Sequence, residues 1–208
     1  LKKPFLLLLN GQIPDLSLVR RLAGDCAGVV CADGGARHAA ALKLRPRFVI
    51  GDMDSLPHPL PEAWNETIYW CDFDDNTSDF EKALRFCLGL GCRSLYVAGA
   101  LGGRFDHALV NLSLLRRFSG SISFKLIDQG VAELLGPGHY RRRLRRGMAV
   151  SLLASSASAR VSSSGLHYPL SRTVLKPGSR GLSNQATGPL SLRVRRHPAA
   201  QQLGDESL

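Results

Sequence analysis

The chain has 208 residues, of which 44% are hydrophobic, and a formal net charge of +10 at pH 7. This length allows one large domain or two small ones, and the composition is that of an ordinary globular protein, which excludes fibrous and disordered classes. No apolar run approaches the roughly 20 residues of a membrane-spanning helix, so no membrane association is expected. The basic balance favours an anionic partner, unless it reflects only a solvated surface.

The cysteines indicate a reducing environment. There are five, an odd number, without a Cys-x-x-Cys pair, and most lie in apolar runs such as "GVVCAD". This usage predicts reduced core thiols in a cytoplasmic protein rather than disulfides or a zinc site. The opening "LKKPFLLLLN" has too short an apolar stretch for a signal peptide and predicts a buried first strand.

The first two thirds of the chain alternate strand-like and helix-like segments. Continuous apolar runs predict strands at residues 5–9, 28–32, 47–50, 66–70, 94–100 and 122–128. Helical spacing predicts helices at residues 15–23, 36–44, 78–91 and 104–118. This alternation indicates an α/β fold, with an N-terminal doubly wound, mostly parallel, Rossmann-like sheet domain.

Two of these helices have a readable apolar stripe. In the helix at 78–91 the stripe is Phe80, Ala83, Leu84, Cys87 and Leu88, and Ser78 with Glu81 forms a capping box at its start. In the helix at 104–118 the stripe is Phe105, Ala108, Leu109, Leu112 and Leu115. Arg104, His107 and Asn111 fall nearly opposite that second stripe.

After residue 129 the sequence pattern changes to short stretches of alternating apolar residues, separated by Gly, Ser and Pro. This pattern predicts a C-terminal all-β sandwich, with domains at residues 1–129 and 130–208. The basic run from Tyr140 to Arg146 is interpreted as a basic hairpin. Nucleic-acid binding is the alternative, but no helix-turn-helix, RRM or KH signature accompanies the run, so no nucleic-acid partner is expected.

Candidate site residues follow the predicted strands, because ligands of open α/β sheets bind beyond the carboxyl ends of the strands. Asp33, Gly34 and Gly35 follow the second strand, where paired glycines at a helix start suit a phosphate or form only a tight turn. Asp52 and Asp54 follow the third strand. On extended backbone their carboxylates point the same way and form half of a Mg²⁺ site, although a solvated Asx-turn explains an isolated Asp-x-Asp equally well.

The fourth and fifth strands are followed by further polar residues. Asp72, Asp74, Asp75 and Asp79 crowd one loop, where Asp79 alternatively stabilises a helix start and Lys82 is then a surface residue. Gly102 and Gly103 precede Arg104, which suits bidentate phosphate binding. His107 is interpreted as a structural histidine. Acids after four successive strands of a basic protein indicate a metal–nucleotide site.

An ordered set of motifs carries a family resemblance. The segments "CADGGA", "VIGDMDS", "TSDFEKAL" and "GALGGRFDHALVNL", with the later "SSGLHYPL" and "GLSNQATG", resemble thiamine pyrophosphokinase. The resemblance implies Mg²⁺-dependent transfer of a pyrophosphoryl group from ATP to the hydroxyl of thiamine, giving thiamine diphosphate and AMP. It also implies a homodimer with active sites between subunits, in which residues 1–129 bind the nucleotide and metal and residues 130–208 bind thiamine and mediate dimerisation.

The resemblance further implies residue roles. Asp52, Asp54 and Asp79 look like the Mg²⁺ ligands, and Asp33, Asp79 and Arg104 like the catalytic residues, with either Asp33 or Asp79 as the base. The nucleotide and phosphate contacts are expected at Gly34, Gly35, Gly103, Arg104, Asp106 and Asn111. The thiamine contacts are expected at Tyr168, Ser183 and Asn184. Another Asp-x-Asp enzyme, such as a nucleotide-sugar transferase or phosphohydrolase, is the alternative, but it gives no reason for "GLSN".

Overall fold

A computed structural model describes residues 3–155 and 157–197. Within it the chain forms two compact units, divided between residues 134 and 135. The first unit contains a seven-stranded sheet whose strands are β1 (Phe5–Leu8), β2 (Val29–Ala32), β3 (Phe48–Gly51), β4 (Ile68–Cys71), β5 (Ser94–Ala98), β6 (Ser123–Ile127) and β7 (Val131–Glu133).

The order of strands in this sheet is β4-β3-β2-β1-β5-β6-β7. Strands β1 to β6 are parallel, and β7 pairs antiparallel with β6. The mostly parallel α/β sheet predicted from the alternating pattern is therefore confirmed. Because β7 belongs to this sheet, the first unit runs to residue 134, five residues beyond the boundary read from the sequence.

Four α-helices connect the strands: α1 (Leu16–Ala23), α2 (Ala36–Ala41), α3 (Asp79–Gly89) and α4 (Phe105–Phe118). Short 3₁₀ turns lie at Asp33–Gly35 and Glu62–Trp64. Asp15 caps α1 by accepting a hydrogen bond from the Leu18 N–H at 2.9 Å, and the Ser78 hydroxyl accepts one from the Glu81 N–H at 3.3 Å. The Glu81 carboxylate forms ion pairs with the exposed side chains of Arg85 and Arg117.

Side chains on both faces of the sheet are buried. Leu7, Val30 and Ile50 pack on one face with the α3 stripe, while Leu6, Leu8 and Val49 pack on the other. Alternate residues of a strand point to opposite faces, so a strand buried on both sides must be apolar throughout. This is why "FLLLL" reads as a continuous run. The predicted stripe on α3 is confirmed, since Phe80, Ala83, Leu84 and Cys87 are all buried.

Most of the apolar stripe predicted for α4 does not face the core. Phe105 is 77% exposed, Leu109 53% and Leu112 47%, and of the stripe only Leu115 is fully buried. Leu114 and Asn111 are buried with it. The Asn111 amide donates a hydrogen bond of 2.8 Å to the Ala100 carbonyl in the loop after β5. Of the predicted polar side, Asn111 points inward, whereas Arg104 and His107 stay exposed together with most of the apolar stripe.

The second unit contains five antiparallel strands: β8 (Gly138–Arg142), β9 (Ala149–Val150), β10 (Ala159–Leu166), β11 (Thr173–Leu175) and β12 (Asn184–Arg196). Their order is β11-β10-β12-β8, and β9 pairs with the start of β12. Val161, Leu166, Leu175, Leu190 and Leu192 form its core. The all-β character is confirmed, and the arrangement as a two-layer sandwich stays a prediction. Among the residues described, no helix is long and apolar enough to cross a membrane.

Candidate active site

A cavity of about 620 Å³ opens at the carboxyl edge of the parallel sheet. Chain connections leave β1 toward β2 and leave β5 toward β6, so the sheet reverses direction between β1 and β5. Loops that leave adjacent strands in opposite directions separate and form a crevice. The cavity is lined from the loops after all of β1 to β5, including Asn10, Asp33, Asp54, Asp79 and Gly103.

Three carboxylates converge in this cavity. Asp33, Asp52 and Asp54 each offer an oxygen within 4.8 Å of the other two. Asp33 is buried, with 4% of its surface exposed, and Asp52 and Asp54 are exposed. Hard carboxylate oxygens at this separation suit Mg²⁺, which keeps several waters and shares phosphate oxygens.

The Asp-x-Asp pair does not lie on extended backbone, as its spacing suggested. Met53 between the two has φ +71°, and the Asp54 N–H donates to Asp52 Oδ1 at 3.2 Å. The pair therefore forms an Asx-type turn, and its carboxylates approach Asp33 through that turn rather than through strand periodicity.

Gly51 allows the buried acids to approach. A Cβ on Gly51 would lie 2.7 Å from the Asp33 Cβ and 3.0 Å from Asp79 Oδ1, and its φ is +148°. Burial raises the pKa of Asp33, and the Ser55 hydrogen bonds oppose that rise. Burial and then the charge of Asp33 raise the pKa of Asp79, while Lys82 lowers it. Asp79 thus lies next to the trio without belonging to it.

Lys82 is buried, contrary to its interpretation as a surface residue. Its Nζ donates to the Asp72 carbonyl at 2.8 Å and lies 3.7 Å from Asp79 Oδ1. The side chain is 6% exposed and lines the cavity. An ammonium is buried here because surrounding carboxylates and a carbonyl satisfy it.

The loop before α3 is held by its own acids. Asp74 accepts hydrogen bonds from the N–H and the side chain of Asn76 and from the Thr77 hydroxyl, and these bonds lower its pKa. Asp74 and Asp75 line the cavity. The loop therefore presents carboxylates to the cavity in a fixed turn.

The predicted phosphate contacts separate into two groups. Gly34, Gly103, Arg104 and Asn111 line the cavity, whereas Gly35 and Asp106 are not among its lining residues. A Cβ on Gly35 would lie 2.1 Å from the Leu8 carbonyl oxygen, so this glycine is explained by helix packing against β1.

Arg104 is engaged by its neighbour in the sequence. Arg104 Nε donates to Asp106 Oδ1 at 3.1 Å, and a second bond joins Nη2 to Oδ2. These bonds hold the pKa of Asp106 at about 2. Both side chains are exposed, so the guanidinium can exchange this carboxylate for a phosphate.

Sequence reasoning missed two residues of the cavity, Asn10 and Lys82. Asn10 follows β1, and a Cβ on Gly34 would lie 2.5 Å from its side chain. A polar residue directly after the first buried strand was the available signal, because the ends of the next four strands carry the predicted site residues. His107 lines the cavity as well.

The predicted thiamine residues lie in the second unit, where Asn184 is committed to the backbone. Its Oδ1 accepts from the N–H groups of Tyr168 at 3.0 Å and Gln185 at 2.9 Å, and its Nδ2 donates to the Tyr168 carbonyl at 2.7 Å. The Tyr168 ring is 67% exposed. Ser183 has φ +55° and donates its N–H to the Ser151 hydroxyl at 3.2 Å. Asn184 therefore positions Tyr168, and the exposed ring is free to contact a ligand.

An acid-lined crevice at the switch point of a parallel sheet is the arrangement of nucleotide-binding α/β proteins. The family model for "Thiamin pyrophosphokinase, catalytic domain" matches residues 19–126, which is 108 of the 208 residues. The chain belongs to the thiamine pyrophosphokinase family.

Individual relatives agree with the family model. Thiamine pyrophosphokinase 1 of Oryza sativa is 29% identical over 179 residues, covering 72% of this chain and 67% of the relative. The crystal structure of a thiamine pyrophosphokinase from Bacillus subtilis superposes with a TM-score of 0.78 at 22% identity, covering 93% of this chain and 95% of the other. The one from Geobacillus thermodenitrificans gives 0.72 at 25% identity, with 94% and 99% covered.

Proposed function

We propose that this chain is a Mg²⁺-dependent thiamine pyrophosphokinase, a transferase that moves a pyrophosphoryl group from ATP to thiamine and releases AMP. The observation that carries the proposal is the convergence of Asp33, Asp52 and Asp54 in the switch-point crevice. Family membership supplies thiamine as the acceptor, because the relatives are named for it, and ATP as the donor is taken from the sequence resemblance.

The charges of the cavity support a metal-assisted reaction. Its lining has six aspartates against two permanent cations, Lys82 and Arg104. A polyphosphate is repelled by such a surface unless a cation stands between them. The carboxylate oxygens of Asp33, Asp52 and Asp54 fit Mg²⁺, which when bound offsets the charge of the transferred phosphates.

The residues of the chain then have separate tasks. Gly34 and Gly103 allow phosphates close to the backbone, and Arg104 leaves Asp106 to bind them bidentately. The thiamine hydroxyl oxygen attacks the β-phosphorus, the bond to the α-phosphate oxygen breaks, and AMP leaves. A carboxylate accepts the hydroxyl proton, and Asp33 and Asp79 are the candidates because they are the least exposed acids of the cavity.

Asp33 and Asp79 can be distinguished by experiment. Replacement of a metal ligand by asparagine shifts the Mg²⁺ concentration needed for half-maximal rate. Replacement of the base lowers kcat at saturating Mg²⁺ and removes the acidic limb of its pH profile. Asp33→Asn and Asp79→Asn, measured side by side, therefore assign the two roles.

In this proposal the second unit holds thiamine. Tyr168 offers an exposed aromatic face to a cationic ring, and Asn184 holds the Tyr168 backbone in place. Ser183 is a further contact on the resemblance alone.

We also propose a homodimer in the cytoplasm. The exposed apolar stripe on α4, with Phe105 at 77% and Leu109 at 53%, is the kind of surface that a second subunit covers. The five free cysteines suit a reducing compartment.

The decisive experiment mixes the purified chain with ATP, MgCl₂ and thiamine and follows AMP and thiamine diphosphate by chromatography. We expect equal amounts of both, lost in Asp54→Asn. Asp25→Asn, which removes an exposed carboxylate outside the cavity, is the matched control and should retain the rate. ADP or free phosphate without thiamine diphosphate would refute the proposal and favour a nucleotide hydrolase.

A further inference from the structure

The net charge of the chain is located in one of its two units. Residues 135–208 contain eleven arginines and one lysine against two acids, Asp205 and Glu206, which gives the unit the whole formal charge of +10. Residues 1–134 contain 15 basic and 15 acidic residues and are formally neutral. The excess of positive charge is therefore a property of the β-unit and not of the surface as a whole.

The strand register of this unit collects arginines from three strands on one face. Arg160 of β10 lies directly opposite Arg195 of β12, and Arg193 of β12 lies opposite His139 of β8. Arg141 of β8 lies opposite Ser191 of β12, which shares a face with Arg193 and Arg195. We name Arg141, Arg160, Arg193 and Arg195 the arginine face. The other side of the same strands carries the core residues Leu190 and Leu192.

Within residues 3–155 and 157–197, no acidic side chain pairs with the arginine face. All four side chains are exposed, and none of them takes part in the ion pairs found among the described residues. Like charges directly opposite on neighbouring strands destabilise a sheet. The basic run from Tyr140, interpreted above as a solvated hairpin, thus supplies Arg141 to a larger surface whose other members come from positions about 20 and 50 residues further along.

Contrary to the expectation drawn from the basic run alone, we propose that the arginine face binds the phosphate backbone of a nucleic acid without sequence preference. Arginine presents a planar fork that matches phosphate, and eleven of the twelve cations of this unit are arginine. A two-fold contact between the arginine faces of two copies is unfavourable, because the two surfaces repel one another. The exposed residues of the face are charged or polar, with His139 and Ser164 beside the arginines, so it lacks the apolar side chains that insert into a membrane.

The number of phosphates contacted sets the expected salt dependence. Four arginines that each neutralise one phosphate give a slope of about −3.6 for log K against log salt with duplex DNA. Removal of two of them should bring the slope to about −1.8 and weaken binding on the order of 10- to 100-fold at about 0.1 M salt.

The test measures fluorescence anisotropy of a labelled duplex of about 20 base pairs between about 50 and 200 mM KCl. The test variant is Arg160→Gln with Arg195→Gln. The control, Arg20→Gln with Arg116→Gln, removes the same charge from exposed positions of α1 and α4. Thermal melts of each variant verify that it folds. We expect only the test variant to bind the duplex more weakly, with its slope of log K against log salt reduced by half.

Three outcomes would overturn the proposal. One is the absence of duplex binding by the unmodified chain at about 50 mM KCl, where nonspecific binding is strongest. Another is an equal loss of affinity in the test and control variants, which would show that the net charge of the chain, and not the arginine face, determines binding. The third is binding to phosphatidylserine vesicles without binding to the duplex, which would make the face a membrane contact. Each outcome leaves the proposed reaction untouched, because its residues lie elsewhere.

Discussion

The buried ammonium of Lys82 should be the most sensitive single position of the acidic crevice. Lys82→Met keeps the aliphatic stem in place and removes the charge. It leaves the Asp72 carbonyl without its donor at 2.8 Å and Asp79 without its cation at 3.7 Å. A hydrogen bond from a charged donor contributes about 1.5–3 kcal/mol. The ion pair adds less than about 1 kcal/mol, since the Asp79 side chain is 38% exposed and screened by water.

The free energy of unfolding should therefore fall by about 2–3 kcal/mol, or about 4–12 °C in Tm for a chain of this size. Arg85→Met is the matched control on the same helix. Arg85 is 55% exposed, and Arg117 still pairs with Glu81 after its removal, so the control should change stability by less than about 0.5 kcal/mol.

A Mg²⁺ titration provides a second readout with the opposite sign. Without the ammonium, the carboxylates of the crevice repel one another more strongly, so added MgCl₂ should raise the Tm of Lys82→Met by more than it raises that of the unmodified chain. Differential scanning fluorimetry with and without MgCl₂ measures both effects. A Lys82→Met melt as close to wild type as that of Arg85→Met, with an unchanged response to Mg²⁺, would refute the reasoning.

Further predictions concern the packing of Gly35, the metal site and the positioning of Tyr168 by Asn184. Gly35→Ala places a Cβ 2.1 Å from a β1 carbonyl oxygen and should lower the free energy of unfolding by about 3 kcal/mol or more. In Gly89→Ala the new Cβ meets nothing within 4 Å, so the free energy of unfolding should rise by up to about 1 kcal/mol. Urea titrations of the two variants compare these effects. MgCl₂ should raise the Tm of the native chain, and Asp54→Asn should abolish the rise in the same melt; an equal rise in both would exclude Asp54 as a ligand. Asn184→Asp removes the N–H donor to the Tyr168 carbonyl. Steady-state kinetics should then give a thiamine KM raised about 5- to 30-fold with kcat little changed. A fall in kcat alone would contradict a positioning role for Asn184.

Sequence periodicity predicted the sheet and one helix face well, for a physical reason. Strands buried on both faces must be apolar at every position, and the stripe on α3 meets the core, so composition and burial agree. On α4 the same periodicity was misleading. An apolar stripe indicates that a face is covered, but not by what, and here Asn111 and its bond to Ala100 turn another face inward.

The site was predictable in its residue types and less so in its geometry. Acids after successive strands indicated the crevice because parallel strands deliver their carboxyl ends to one edge. The turn at Met53 and the burial of Lys82 were not predictable, since a left-handed methionine and a buried lysine are both uncommon and depend on partners distant in sequence.

The central position of β1 determines which truncations the sheet can tolerate. The strand at residues 5–8 lies between β2 and β5, so it joins two groups of three strands each. One group delivers the carboxylates that follow β2, β3 and β4, and the other delivers the glycines and Arg104 that follow β5. A deletion through residue 9 would leave both groups with an unpaired inner edge and separate the acidic half of the crevice from the basic half. Truncated variants of the protein must therefore preserve this strand.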